Sequence, residues 1–214
     1  MKEFKLNERF YFLFLLLSLP IANWLTEKTQ KFIEWLLYSF LNQLSQWGVI
    51  EPLTPVAIII ILFWIVERYL WKLFVFTGIV PPNLNGRYEG KLTSSYDRSK
   101  TYPFVIEVCQ TLLTTKVYLY TATSPSYSFL ATVGKNEKEN WTLYYLYQND
   151  VRNLSPSNSD MKRHQGTAIL EIFTKKPIEL QGAYYNDGHQ RGTHGDISCK
   201  LVSKKRIGRF TPQG

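Results

Sequence analysis

The run VAIIIILFWIVERYLWKLFVF, residues 56–76, constrains this chain more than any other stretch: eleven apolar residues precede Glu67, Arg68 and Lys72, and the apolar character then resumes. A helix crosses a bilayer core with about 20 mostly apolar residues, so 53–76 is expected to be a membrane span with Arg68 and Lys72 snorkelling at its exit end. Trp64, Tyr69 and Trp71 suit the aromatic belt at that interface. A shorter apolar run, FYFLFLLLSLPIANWL at 10–25, follows Lys2, Lys5 and Arg9. That arrangement also fits a secretory signal peptide, but Trp24, Leu25, Thr26 and Glu27 offer no small-residue cleavage site and a second apolar run follows. It is expected to remain as a first span over about 9–25.

Between the two runs, Ile33, Leu37, Phe40, Leu44 and Trp47 recur at three- and four-residue steps. This is the pattern of an amphipathic helix, expected over 27–48 as a connector lying in the membrane interface. Lys2, Lys5 and Arg9 on one side, with Arg68, Lys72, Arg87 and Lys91 after the second run, outnumber Lys28 and Lys31 in the connector. The bias places both ends, and so the C-terminal half, in the cytoplasm. Cys109 and Cys199 form no metal spacing and no disulfide framework, which agrees with a reducing compartment.

TGIVPPNLNG, 77–86, ends the helical composition with two prolines and a glycine. The expected organisation is a transmembrane region over 1–80, a β domain over 83–207 and a tail over 208–214. Residues 85–214 carry 18 Lys or Arg against 11 Asp or Glu, which is +7 of the chain's formal +8, so an anionic partner fits this half. Eight strand-like runs occur there, at 87–95, 102–110, 116–122, 126–134, 141–148, 167–174, 178–185 and 196–204. Most are bounded by Gly, Asn, Asp, Ser or Pro, and no helical pattern interrupts them. The fold class is therefore membrane α plus all-β, two spans and a connector followed by an eight-stranded antiparallel up-and-down barrel, with a two-sheet sandwich as the alternative.

Period-two alternation sets Phe104, Ile106, Val108 and Gln110 on one face, and likewise Val117, Leu119 and Thr121; Leu143, Tyr145, Tyr147 and Asn149; Ile178, Leu180, Gly182 and Tyr184. Each inward set begins apolar and ends polar, so Gln110, Thr121, Tyr147, Asn149 and Tyr184 are expected to share one hydrophilic end of the interior. They either bond one another and water or meet a ligand with hydrogen-bonding edges. Gly182 permits close approach of a backbone or a ligand. Arg191, in the glycine-rich segment 184–196, suits a phosphate, as a guanidinium fork matches its oxygens. The long connection 149–165 brings Arg152, Lys162, Arg163 and His164.

Catalysis finds little support. The chain has no nucleophile elbow, P-loop, dinucleotide fingerprint or HExxH run, and Asp187, His189, His194 and Asp196 lack a second cluster for a metal. The expectation is a non-enzyme with no cofactor.

Two apolar runs joined to LNGRYEGKL, IEVCQT, TATSPSYS, LYYLYQN, HQGTAIL and ELQGAYYNDGHQRGTHGDIS resemble the bacterial anti-phage effectors built from two transmembrane helices and a β-strand-rich domain. These belong to cyclic-oligonucleotide-based signalling systems (CBASS) and accompany a cGAS/DncV-like nucleotidyltransferase. The resemblance implies a barrel that binds a cyclic dinucleotide, homo-oligomerisation of the membrane helices, disruption of the bacterial inner membrane and death of the infected cell. Gln110, Thr121, Ser124, Ser126, Ser128, Tyr145, Tyr147, His164, Gly182, Tyr184 and Gly195 match its pattern by position. With Asn149 and Arg191 from the reading of the strands, the expected ligand-binding set is Gln110, Thr121, Ser124, Ser128, Tyr145, Tyr147, Asn149, His164, Tyr184 and Arg191. The alternatives are a membrane-tethered lipocalin-like carrier of an apolar molecule and a single-strand nucleic-acid binder using the outward Tyr118, Tyr120, Tyr144 and Tyr185. No DNA or RNA partner is expected.

Overall fold

The computed structural model describes residues 8–37, 50–150, 164–187 and 192–211. The chain divides into two compact units, Met1–Val80 and Pro81–Gly214.

The first unit contains helix α1 (Glu8–Leu37), helix α2 (Ile50–Arg68) and a 3-10 helix (Leu70–Thr77). Ser18 and Ala22, four residues apart and both buried, give α1 a small-residue face, and Phe14 meets Phe63 of α2 edge to face with ring centroids 5.6 Å apart. The Ser18 hydroxyl donates to the Leu15 carbonyl and the Thr26 hydroxyl to that of Ala22, which satisfies both side chains within the helix.

This unit corrects the expected spans. Among the described residues, no helix is long and apolar enough to cross a membrane. The apolar stretch of α1 is broken by Ser18, Pro20 and Asn23 and turns polar from Thr26. The helix also runs on through Leu37, so the expected span at 9–25 and the start of the connector are one element; residues 38–48 of the connector lie outside the described residues. The run expected to span at 53–76 is not a single α-helix. It has Glu51 and Pro52 near its start and ends at Arg68, where Tyr69 leaves helical geometry (φ −126°, ψ −53°) and a 3-10 segment follows. Both apolar runs therefore fall short of the roughly 20 residues a span requires, and a two-span, multi-pass placement in the inner membrane with a cytoplasmic barrel is not what these helices support.

In the second unit the eight expected strands all form: β1 (Gly86–Ser94), β2 (Asp97–Gln110), β3 (Thr115–Tyr120), β4 (Pro125–Lys135), β5 (Trp141–Asn149), β6 (His164–Phe173), β7 (Glu179–Asn186) and β8 (His194–Ser203). Each pairs antiparallel with its neighbour, and β8 returns to β1 through Gly90 opposite Cys199, closing a barrel with no free edge. The turns follow their residues. At the β4–β5 hairpin Asn136 Oδ1 accepts from the amides of Lys138 and Asn140, and Glu139 takes φ 60°. At the β3–β4 turn Thr121 Oγ1 accepts from the amide of Ser124 and donates to its carbonyl.

Inward-facing side chains alternate as the pattern requires. Tyr88, Phe104, Ile106, Val108, Leu143, Leu170 and Leu180 form the dry centre. One end of the barrel is sealed by the segment entering β1: Leu84 is fully buried, its amide donates to Gln110 Oε1 at 2.7 Å, and its carbonyl accepts from Tyr88 Oη at 3.0 Å. Asn85 bonds both backbone groups of Gln110 through its side-chain amide.

On the outside, Arg87 and Glu107 sit opposite one another on β1 and β2 and are buried beneath the C-terminal residues. Arg87 donates to Glu107 Oε1 at 2.9 Å, to Glu89 Oε1 at 3.1 Å and to the carbonyls of Arg209 and Thr211. Glu107 in turn accepts from the amides of Ile207 and Gly208. Residues 207–211, which run from the end of the expected β domain into the expected tail, are therefore tied down by charge-assisted bonds.

Candidate ligand cavity

In an up-and-down barrel odd strands run one way and even strands the other, so the ends of β1, β3, β5 and β7 gather at one rim and those of β2, β4, β6 and β8 at the opposite one. A cavity of about 290 Å³ lies within the first rim, at the small end of ligand pockets. Leu92, Val117, Leu119 and Ile197 give it an apolar floor, and Thr121, Ser124, Ser126, Asn149, His164 and Asn186 give it a polar upper wall. No Lys, Arg, Asp or Glu lies among the described lining residues.

The tyrosines are placed by glycines. Tyr147 Oη donates to Asn186 Oδ1 at 2.6 Å, passing over Gly166, where an added Cβ would come within 2.5 Å of that oxygen. Asn186 then donates to Thr193 Oγ1, which joins β7 to the residue before β8. Tyr184 Oη donates to the Thr93 carbonyl, and a Cβ on Gly195 would meet both that carbonyl and the Tyr184 ring. Each of these two rings is thus anchored through its hydroxyl beside the cavity.

Tyr145 differs. It is 3% exposed and its hydroxyl has no hydrogen-bond partner among the described residues. Burial pushes its phenol well above the ordinary range, with the neighbouring Tyr147 adding to the shift, so it remains a protonated donor at any physiological pH. Asn149 donates from Nδ2 to Ser124 Oγ at 3.3 Å while its Oδ1 is buried with no partner. Tyr145 Oη and Asn149 Oδ1 are thus buried polar atoms without hydrogen-bond partners among the described residues, an arrangement that is costly in an apolar surrounding.

Of the expected site residues, the structure brings Thr121, Ser124, Tyr145, Tyr147, Asn149, His164 and Tyr184 to this cavity. His164, paired in register with Asn149, is buried at its edge. Gln110 lies at the other end, because β2 runs opposite to β3 and β5; there its side chain holds Leu84. Ser128 sits at a bulge in β4, where its hydroxyl accepts from the Val117 amide in place of a ladder bond. Gly182 admits the β6 backbone at Ile169 and Leu170 rather than a ligand. Arg191 lies outside the described residues, as do Arg152, Lys162 and Arg163. The strand pattern did not single out Tyr102 and Asn186, which line the cavity from β2 and β7, or Tyr96 and Thr193, which line it from just outside the strands. Asn186 was legible as the residue after Tyr184 and Tyr185 on an inward register. Among the described residues no His, Cys, Asp or Glu group could hold a metal ion.

The family model of the Cap15 cyclic dinucleotide receptor domain matches residues 79–201, the closed barrel from its plug to its last strand. This chain belongs to that family. A curated relative, CD-NTase-associated protein 15 of Escherichia albertii, is 27% identical over 151 residues, covering 69% of this chain and 75% of the relative. The Cap15-type match supports a cyclic dinucleotide as the ligand and a CBASS effector as the setting, and the cavity supplies its geometry. The seven expected residues that reach it all fall within the matched region.

Proposed function

We propose that the chain is a non-enzymatic CBASS effector whose barrel binds a cyclic dinucleotide in the rim cavity, and that the bound state self-associates through the first unit to damage a lipid bilayer. The observation that carries the ligand reading is the rim cavity of about 290 Å³, lined by Tyr145, Tyr147 and Tyr184 beside Thr121, Ser124, Asn149 and His164, within the region that matches the cyclic dinucleotide receptor domain. A nucleotide offers hydrogen-bonding base edges to such polar groups and a stackable ring to tyrosines. An apolar cargo, as in a lipocalin-like carrier, would leave the polar part of this lining unpaired.

For the output, Phe12, Leu17, Trp24, Ile60, Trp64 and Phe76 are all more than half exposed on the helical unit. A water-facing surface of this kind is covered by another copy or by acyl chains. Shifting the assembly from 1:99 to 99:1 requires about 5.5 kcal/mol of differential ligand affinity, within reach of a ligand that binds the assembled form preferentially. The full chain titrated calorimetrically with a panel of cyclic di- and trinucleotides, then followed by light scattering and by dye release from liposomes, tests each step. Binding, growth in mass and leakage together support the account. Absence of heat across the panel removes the receptor reading; binding without assembly or leakage removes the effector output alone.

A further inference from the structure

We propose that the end of the barrel sealed by Leu84, from the β6–β7 hairpin round to the β2–β3 hairpin, is a docking surface for an anionic phospholipid leaflet. This rests on the bilayer-damaging reading and adds to it a contact made by the barrel itself, at the end opposite the ligand cavity.

The chain's charge is gathered there. Residues 174–178 and 203–209 carry six Lys or Arg and no Asp or Glu, which is +6 of the chain's formal +8. The four connections at the cavity rim, 95–96, 121–124, 150–163 and 187–193, carry four Lys or Arg against three Asp, a balance of only +1. Lys175, Lys176, Lys204, Lys205, Arg206 and Arg209 are all exposed. The two basic segments are tied to one end of the barrel: the Leu201 amide donates to the Ile178 carbonyl at 2.8 Å, and Lys204 Nζ donates to the Asn85 carbonyl at 3.2 Å, at the entrance to β1.

The acids beside them are already engaged. Glu89 and Glu107 pair with Arg87, and Glu179 stands opposite Lys200 in the β7–β8 register. Lys175, Lys176, Lys205 and Arg206 form no ion pair among the described residues. Like charges gathered without partners repel one another in the free protein, and an anionic surface relieves that repulsion. The clamp of Arg87 and Glu107 on residues 207–211 holds this basic segment against the barrel, so its cations are presented on ordered backbone. On the far side of the same end the β4–β5 hairpin sets Lys138 against Glu137 and Glu139, which limits the basic surface to the arc named above.

The apolar groups on this arc distinguish the partner. Leu113 at the tip of the β2–β3 hairpin, Phe173 at the end of β6 and Ile207 are all exposed among the cations. Cations interleaved with such groups suit a headgroup layer above acyl chains. A single-stranded nucleic acid calls for a row of aromatic faces, and a single phenyl ring does not provide one.

Flotation of the full chain with vesicles of phosphatidylcholine alone, and of equal parts phosphatidylcholine and phosphatidylglycerol, tests the surface. Each cation near an anionic leaflet contributes roughly fivefold in partitioning. The triple variant Lys175→Gln, Lys176→Gln, Arg206→Gln should therefore partition at least roughly tenfold less into the anionic vesicles, with a loss of less than about threefold on the neutral ones. A control triple, Lys91→Gln, Arg98→Gln, Lys100→Gln, removes the same charge elsewhere on the barrel and should lose less than about threefold on either. The wild-type preference for anionic vesicles should shrink as salt rises. A smaller loss in the first triple, a loss matched by the control, or equal wild-type partitioning into both vesicles overturns the docking surface and leaves the bilayer reading intact. Tighter binding to a mixed-sequence single-stranded DNA than to the anionic vesicles, lost in the first triple, assigns the surface to nucleic acid and equally overturns the proposal. If the chain floats with neither vesicle, with or without the cyclic nucleotide panel, both readings fall.

Discussion

Tyr147 Oη lies 2.6 Å from Asn186 Oδ1, so a side chain on β5 holds one on β7 across the full width of β6. The crossing is possible because Gly166, which pairs with both residues, has no side chain on the inner face. Gly166→Ala should therefore displace Tyr147 and weaken both folding and ligand binding. Tyr147→Phe should cost about 0.5–1.5 kcal/mol in urea melts, the loss of one hydrogen bond. Equal melts for Gly166→Ala and wild type would contradict this packing.

Arg87 and Glu107 give a second test, remote from the cavity. Removing one member of a buried ion pair leaves an uncompensated charge and costs about 3–5 kcal/mol, so Arg87→Met or Glu107→Leu should sharply lower the denaturation midpoint. The double variant should recover part of that loss. Either single change should also release residues 207–211, seen as faster trypsin cleavage after Arg206 and Arg209, since Glu107 binds the amides of Ile207 and Gly208.

Alkaline pH should unfold the barrel. Burial, the largest cause in each case, raises the phenols of Tyr88, Tyr120, Tyr145 and Tyr147 above their ordinary value of 10.0. With a raised folded pKa the native state keeps protons that the unfolded chain releases, so stability is fully present below about pH 10 and is lost as pH rises toward the folded values. Urea midpoints measured from roughly pH 8 to 11 should stay level and then fall, with phenolate absorbance appearing together with unfolding. Phenolate absorbance from all the tyrosines at about pH 10, with the fold intact, would contradict the burial.

The two cysteines should separate by reactivity. Cys199 faces the core and burial pushes its thiol well up, whereas Cys109 is half-buried on the outer face. The thiolate is the reactive form, so iodoacetamide should label Cys109 in the native protein and Cys199 only after denaturant is added. Mass spectrometry of tryptic peptides reads the difference.

The barrel was legible because its strands alternate cleanly and its hairpins carry strong turn residues. Phe104, Ile106, Val108, Leu143, Tyr145 and Leu180 point inward as the period of two requires. Gln110 shows the limit of that pattern. Alternation tells which face a side chain takes but not which end of the barrel it reaches, and strand direction sends Gln110 away from Thr121 and Asn149. The clamp of Arg87 on Glu107 depends on cross-strand register and on a chain end returning from more than a hundred residues away, and neither is a local signal. The apolar helices misled for a different reason. Hydropathy summed over 53–76 is blind to the break at Tyr69, where α2 gives way to a 3-10 segment.

Hydrogen exchange of the full chain, with and without the tightest-binding cyclic dinucleotide, tests the central claim most directly. The account expects slowed exchange at the cavity rim, in peptides spanning 93–97, 121–128, 147–150 and 192–196, with little change at the opposite end around 136–140 and 174–178. Protection confined to that opposite end, or none at the rim under saturating ligand, would contradict it.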